Sequence, residues 1–464
     1  MTHGQIDGLE LPSRGAKRLA GPVDSRGSVL DGLDALVGVI EQSDVGGHSK
    51  PSVSLTPVTR AYPDPTRGDS IAGEQRSPCQ RGAGVSHETV WDDVIDEGTQ
   101  DVLDPGVPAS LDRAPDVLVI GGGVIGLSIA ASCRQLGIER VTVLEGSVLG
   151  AGPSRRAGGI LAPEVHAMLH PGPFVDLARA GLQRHREWSA AWDGATGLRD
   201  RDYLLVSDSE VPEALRRLAG AQALAPADAR RREPELGPWP HVLLLQHQAS
   251  VHPLRLILAL ARRAGSIATG VTVSAFDTSG NRVVRVRTSA GRVTPGAVVV
   301  ATGEAPRWLL PLAQVQVKGH IVATTPASFR LRGIVASTIA ALQLDDGRLV
   351  CGGTFDAGDR QPLVRDAAVA RIRAEMTRLL PASAELEIDR AWCCFRPCTE
   401  DELPVIDRLP GLSNAWLSVA HFRTGLLLAP AAGHAVASWI RSGVRPAELA
   451  GLGLDRLAPA RLAD

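Results

Sequence analysis

Hydrophobic and polar positions change character near residue 116. Over residues 1–114 apolar residues are scattered with neither strand-like alternation nor helical spacing, apart from a short stretch at 30–40 that reads as one or two amphipathic turns. The segment is rich in Gly, Pro, Ser and Asp, and its aromatics are Tyr62 and Trp91. Such a composition buries too little apolar surface to offset the entropy of ordering. Residues 1–114 are therefore expected to form a disordered extension, with a regulatory or partner-binding arm as the functional rival.

From Asp116 the pattern becomes regular. Val117-Leu118-Val119-Ile120 is a short apolar run, the mark of a strand buried on both faces. Residues 124–136 place Ile125, Ile129, Cys133 and Leu136 at helical spacing, and Gly137 follows as a stop. Val141-Thr142-Val143-Leu144 is a second strand, which completes a β-α-β unit and implies a parallel sheet. Further along, helices are expected over 253–264, 367–380 and 426–440. Strands are expected over 271–275, 297–301, 318–325 and 348–354, with a hairpin from 282–288 and 291–294.

The first strand and helix are joined by Gly121-Gly122-Gly123-Val124-Ile125-Gly126. Gly121, Gly123 and Gly126 supply G-x-G-x-x-G in the strand–turn–helix setting that a dinucleotide requires. The first glycine permits the turn, the second lets backbone approach a pyrophosphate, and the third lets the helix lie close on the strand. Glu145 ends the second strand, placed to accept both ribose hydroxyls of an adenosine and to repel a 2′-phosphate. The small-residue stretch Ala151 to Leu161 favours FAD over NAD, because it lets backbone pack closely against a second part of a long cofactor. Ser154 is a candidate phosphate contact.

Composition narrows the class. Among 464 residues, 49 Lys+Arg against 51 Asp+Glu give a net charge of −2, which excludes nucleic-acid or anionic-membrane binding by bulk charge. No apolar run nears the roughly 20 residues of a spanning helix, and no basic-then-apolar leader opens the chain, so a cytoplasmic protein is expected. The six Cys form no C-x-x-C, so neither a disulfide framework nor a metal site is expected.

At this point the chain resembles the FAD-dependent amine oxidases of the D-amino-acid oxidase superfamily, and within it the glycine oxidases of thiamine biosynthesis. The resemblance rests on residues 116–128, 141–145, S-R-R-A-G-G-I-L-A-P-E at 154–164, V-H-P-L-R-L at 251–256, A-V-V-V-A-T-G at 297–303, R-P-C-T-E-D-E-L-P-V-I-D at 396–407 and H-F-R-T-G-L-L-L-A-P at 421–430. It implies an α/β fold: a Rossmann-like FAD-binding domain (115–200, 245–312, 390–445) with an inserted, mainly antiparallel α+β substrate domain (201–244, 313–389) and a tail at 446–464. It implies FAD held by Gly121, Gly123, Val124, Ile125, Gly126, Glu145, Ser154, Ala157, Gly158, Gly159, Ile160, Val271, Thr302, Gly303, Thr424, Gly425, Leu426 and Leu427. The implied reaction is oxidative deamination of glycine or another small amine. Hydride passes from Cα to flavin N5, the imine hydrolyses and O2 becomes H2O2; the imine would feed thiazole synthesis. A homo-oligomer is left open.

Arg396 is the expected carboxylate anchor, because a guanidinium offers a carboxylate a planar, two-pronged match. A structural Arg paired with Asp401 or Glu400 is the competing reading. Arg423 is expected beside flavin or substrate, with Thr424 capping the helix that follows; a plain surface Arg is the alternative. His421 reads as a polar packing residue, with a catalytic role as the rival. Where glycine oxidases carry a tyrosine and a Pro-Arg, this chain has Ala340-Ala341-Leu342-Gln343-Leu344, and Phe355 makes the pocket more apolar. Cys394 falls where sarcosine oxidases attach flavin covalently, against a reading as a buried core thiol. Two other functions stay open: a dehydrogenase with a non-O2 acceptor, and a non-catalytic flavin-binding paralogue.

Overall fold

In a computed structural model of the chain, residues 88–166, 170, 172–218 and 220–457 are described. The amphipathic stretch expected at 30–40 lies outside them. Two sheets organise the rest. The first has six strands in the order Val405–Arg408, Ala415–Val419, Ala297–Val300, Val117–Ile120, Val141–Leu144, Ser266–Ala268. All neighbours run parallel except the Val405–Arg408 edge.

The apolar runs predicted as buried strands are buried along their whole length, because both faces of this sheet are covered. Val117 and Val119 face a layer containing helices Val124–Gln135, Pro253–Ala261 and Gly425–Ser442. Leu118 and Ile120 face the other way, onto Val283, Val286 and Val293 of the small antiparallel sheet Val273–Ser279, Arg282–Thr288, Gly291–Val293. The strand expected at 271–275 thus starts two residues later and runs to Ser279.

The second sheet has ten strands. Its path is Asp356–Ala357, Val315–Thr324, Leu349–Gly352, Ala340–Gln343, Ile334–Ala336, Arg199–Ser207, His241–Ser250 and Ile160–Leu161. Ile388–Cys398 pairs with Val315–Thr324, and Ala221–Leu224 with His241–Ser250. Among the described residues of this sheet only the Ile334–Ala336 pairing with Arg199–Ser207 is parallel. One face packs on Ile372, Met376 and Leu379 of helix Asp366–Leu379. The other carries Tyr203, Ile334 and Leu342, with Ile160 and Ala340 at its margin.

Two expectations need correction. Residues 88–114, read as part of a disordered stretch, are folded: a 3-10 turn at Val90–Val94 leads to a helix at Glu97–Leu103, capped reciprocally by Asp96 and Thr99. Trp91 and Leu103 are fully buried, so the apolar surface that offsets ordering lies on the domain, where composition does not register it. Second, the strand that carries Arg396 belongs to the large sheet, not to the nucleotide half. His241–Ser250 likewise crosses the proposed boundary at 244/245 within that same sheet. The tail is packed as far as it is described: Leu449 and Leu452 are buried, and Arg456 pairs with Asp401 at 2.6 Å. Among the described residues no helix is long and apolar enough to cross a membrane, and no cluster of three metal-ligating side chains occurs.

Candidate active site

A cavity of about 630 Å³ runs from the glycine turn of the first β-α-β unit to the large sheet. At the turn, Gly121 adopts φ 115°, and a methyl there would lie 2.7 Å from the Ala301 carbonyl carbon. A methyl on Gly126 would fall on the Gly121 carbonyl oxygen. Only glycine satisfies both positions. The Ser154 hydroxyl accepts from the Val124 N–H at 3.1 Å, at the first turn of the helix. Glu145 accepts from the N–H of Gly122 (2.6 Å) and Ser147 (2.9 Å), so its carboxylate is fixed at the strand end. This cradle suits a dinucleotide: a helix N-terminus for phosphate, an oriented acid for ribose, and no side chain at the turn.

Most expected cofactor residues border the cavity: Gly121, Gly123, Val124, Ile125, Glu145, Ser154, Ala157, Gly158, Gly159, Ile160, Val271, Thr302, Gly303, Gly425 and Leu426 do. Gly126, Thr424 and Leu427 do not. Gly126 acts at the helix–strand contact. Thr424 is the residue before the helix, but its hydroxyl does not cap it; it donates to the His421 carbonyl at 2.8 Å. Leu427 is buried, its carbonyl directly over Gly181 of the helix Pro173–Ala191.

At the other end Arg396 and Arg423 meet across one ring. Their guanidinium carbons lie 5.0 and 5.5 Å from the centre of Phe355. Arg396 donates to the Thr354 carbonyl at 3.1 Å. Neither alternative partner engages it: Asp401 is held by Arg456, and among the described residues no carboxylate pairs with Arg396. Arg423 is mostly buried, with Glu402 at 3.8 Å. Burial lowers its pKa, and Arg396 adds to the effect.

Backbone contacts hold the pair in place. Pro397, on a sheet edge where its missing N–H costs nothing, accepts from Phe422 N–H at 3.0 Å. Ala420 N–H donates to Gly303 at 2.8 Å. The segment bearing Phe355 is pinned by the wholly buried Lys318, which donates to Asp359 at 2.9 Å and to two carbonyls. His320 pins it as well, at 3.0 Å from Asp356.

His421 borders the cavity, its Nε2 3.0 Å from the Ser418 hydroxyl. Burial pushes its pKa from 6.5 to about 3, so the ring is neutral at working pH. His185 and His252 are pushed to about 4 by the same desolvation. Unfolded, these rings protonate near pH 6.5; folded, they do not. Stability is thus expected to be full above about pH 6.5 and to decline as pH falls from there towards 4. Denaturant midpoints compared between about pH 7.5 and about pH 5 check this; an unchanged midpoint would contradict it.

Several bordering residues were not singled out from sequence: Ile321, Val350, Trp308, Pro306 and Thr272 among them. Ile321 and Val350 sit in strands whose pattern marks burial, not what they are buried against. Trp308, 45% exposed and edge-on to Phe276 at 5.2 Å, is a large exposed apolar side chain that loop composition alone does not flag.

Comparison with known proteins agrees with this geometry. The chain is 32% identical over 336 residues to the bifunctional protein ThiO/ThiG of Synechocystis, covering 68% of this chain and 50% of that protein. It therefore spans about half of that relative's length. It is 28% identical over 359 residues to glycine oxidase of Pseudomonas aeruginosa, covering 71% and 95%. The structure of glycine oxidase from Geobacillus kaustophilus superposes with a TM-score of 0.68 at 24% identity, over 75% of this chain and all of that one. The pattern of the FAD dependent oxidoreductase (DAO) family matches residues 116–439. With a glycine cradle at one end of the cavity and two guanidiniums at the other, the match over most of the folded chain places this protein in the FAD-dependent DAO family of oxidoreductases.

Proposed function

We propose that the protein oxidises a small α-amino acid, glycine or a near relative, to its imine. The observation that carries the reading is the convergence of Arg396 and Arg423 on one cavity wall, with no close carboxylate taking up Arg396. Arg396 grips the substrate carboxylate, and Phe355 shields that pair from water, which strengthens it. The two positive charges disfavour the substrate ammonium and so promote the neutral amine that can be oxidised. Neutral His421 adds no further charge, and the positive end of helix Gly425–Ser442 borders the same cavity. The chemistry FAD supplies when bound is acceptance of the Cα hydride, with O2 returning it to the oxidised form and H2O2 released.

Ala340 borders the cavity with a single methyl, which leaves room for a substrate side chain. D-Alanine and sarcosine therefore rank with glycine as candidates. With glycine, the imine is the product a thiazole synthesis would consume. Anaerobic titration with glycine, sarcosine and D-alanine is the test: bleaching of the flavin supports the proposal, and a flavin that no amine bleaches sinks it. Slow reoxidation in air would select an acceptor other than O2.

Cys394 borders the cavity, but burial raises its thiol pKa and leaves it protonated, so it is a poor nucleophile. Acid-precipitated protein is expected to give a colourless pellet and a yellow supernatant. A yellow pellet would establish covalent attachment.

A further inference from the structure

The segment 88–106 precedes the family match and lies outside every motif discussed so far. Yet it touches both ends of the nucleotide cradle. The Trp91 indole N–H donates to the Ala157 carbonyl at 2.9 Å, and Asp92 pairs with Arg155 at 2.6 Å. Arg155 follows Ser154, whose hydroxyl accepts from the helix N-terminus. Ala157 itself borders the cavity. At the other end the Leu103 carbonyl accepts from Leu149 N–H at 2.9 Å, and Thr269 donates to Asp104 at 2.6 Å, close to Glu145 and Val271.

We propose that this segment is a cofactor-positioning strap. The Gly-rich segment 151–159 holds only one helical turn, Pro153–Arg156; the rest has many backbone states, and the binding-competent one is populated only if something outside selects it. The strap and the large sheet do so together, from two sides. Trp91 engages the Ala157 carbonyl, while Trp392 of the large sheet engages the neighbouring Arg156 carbonyl at 2.9 Å. Both oxygens are thereby held by indoles. Asp93 then ties the strap to the sheet through Arg390 (2.6 Å) and Arg348 (2.7 Å). Arg390 lies on the strand that bears Arg396, so one short segment fixes the FAD loop relative to the substrate anchor. Trp91 and Asp92 are positioning residues acting through the loop, whatever amine the enzyme takes.

The test uses the full chain stripped of FAD, with wild type, Trp91→Phe, Asp92→Asn and their double variant. Trp91→Phe keeps an apolar ring and removes the N–H; Asp92→Asn removes the charge on Arg155. The double variant is expected to bind FAD about tenfold more weakly by flavin-fluorescence quenching. Its apoprotein should melt within about 2 °C of wild type, and the visible circular dichroism of its bound flavin should change. A dissociation constant within about twofold of wild type would overturn the proposal, as would weaker binding matched by an equally destabilised apoprotein. Removal of residues 1–87 should leave FAD affinity unchanged. Should removal of 1–106 prevent folding, the point variants decide.

Discussion

Arg396→Met should lower kcat/KM for the amino-acid substrate by roughly a hundredfold to a thousandfold, with FAD still bound. The figure follows from removing one partner of a desolvated, two-pronged ion pair, about 3–4 kcal/mol. The guanidinium has little structural work in the free protein: one hydrogen bond, to the Thr354 carbonyl, and no paired carboxylate among the described residues. Its loss should therefore fall on substrate, not on folding. Arg396→Lys keeps the charge but not the fork, and should recover only part of the activity. It also cannot reproduce the flat approach over Gly319, where even a methyl would overlap the guanidinium. Steady-state kinetics together with the flavin-to-protein absorbance ratio check both variants. A Met variant within about tenfold of wild type would remove Arg396 from the carboxylate site.

Gly126→Val should abolish FAD binding and destabilise the protein by about 3 kcal/mol or more, the upper range for overpacking against backbone. The side chain would overlap the Gly121 carbonyl oxygen and press on Val119 of the central strand. Strand and helix cannot separate cheaply, because the helix is clamped from its far side: the backbone of Ser128 lies 2.7 Å from where a methyl on Gly433 would sit. The displaced turn would carry the helix N-terminus away from the phosphate position. Denaturant unfolding of the apoprotein and FAD titration read the two effects separately. Normal FAD affinity in this variant would mean that the turn is not the cradle.

Much of this was legible because it is local. A glycine turn between a buried run and an amphipathic helix has few backbone solutions, so 121–126 and Glu145 could be placed from spacing alone. Arg396-Pro397 and His421 to Gly425 were recognisable blocks, although one contact was read too simply: Thr424 bonds backwards to His421 and not forwards into the helix. Strand 388–398 illustrates the limit. It is not among the strands the pattern predicts, its partner, Val315–Thr324, lies some 70 residues away, and nothing local states which of two sheets it joins.

By itself the sequence determined the parallel β-α-β core and the glycine turn that opens its helix, and it singled out the two arginines, since each depends on short-range sterics and side-chain chemistry. Only the tertiary structure decided that Phe355 lies against both guanidiniums, that Asp401 is taken by Arg456, and that Trp91 to Asp104 is an ordered brace. Those outcomes depend on apolar surface and partners supplied by distant segments. Residues 88–104 bury too little among themselves to order alone, and the free energy that orders them comes from the domain they pack against.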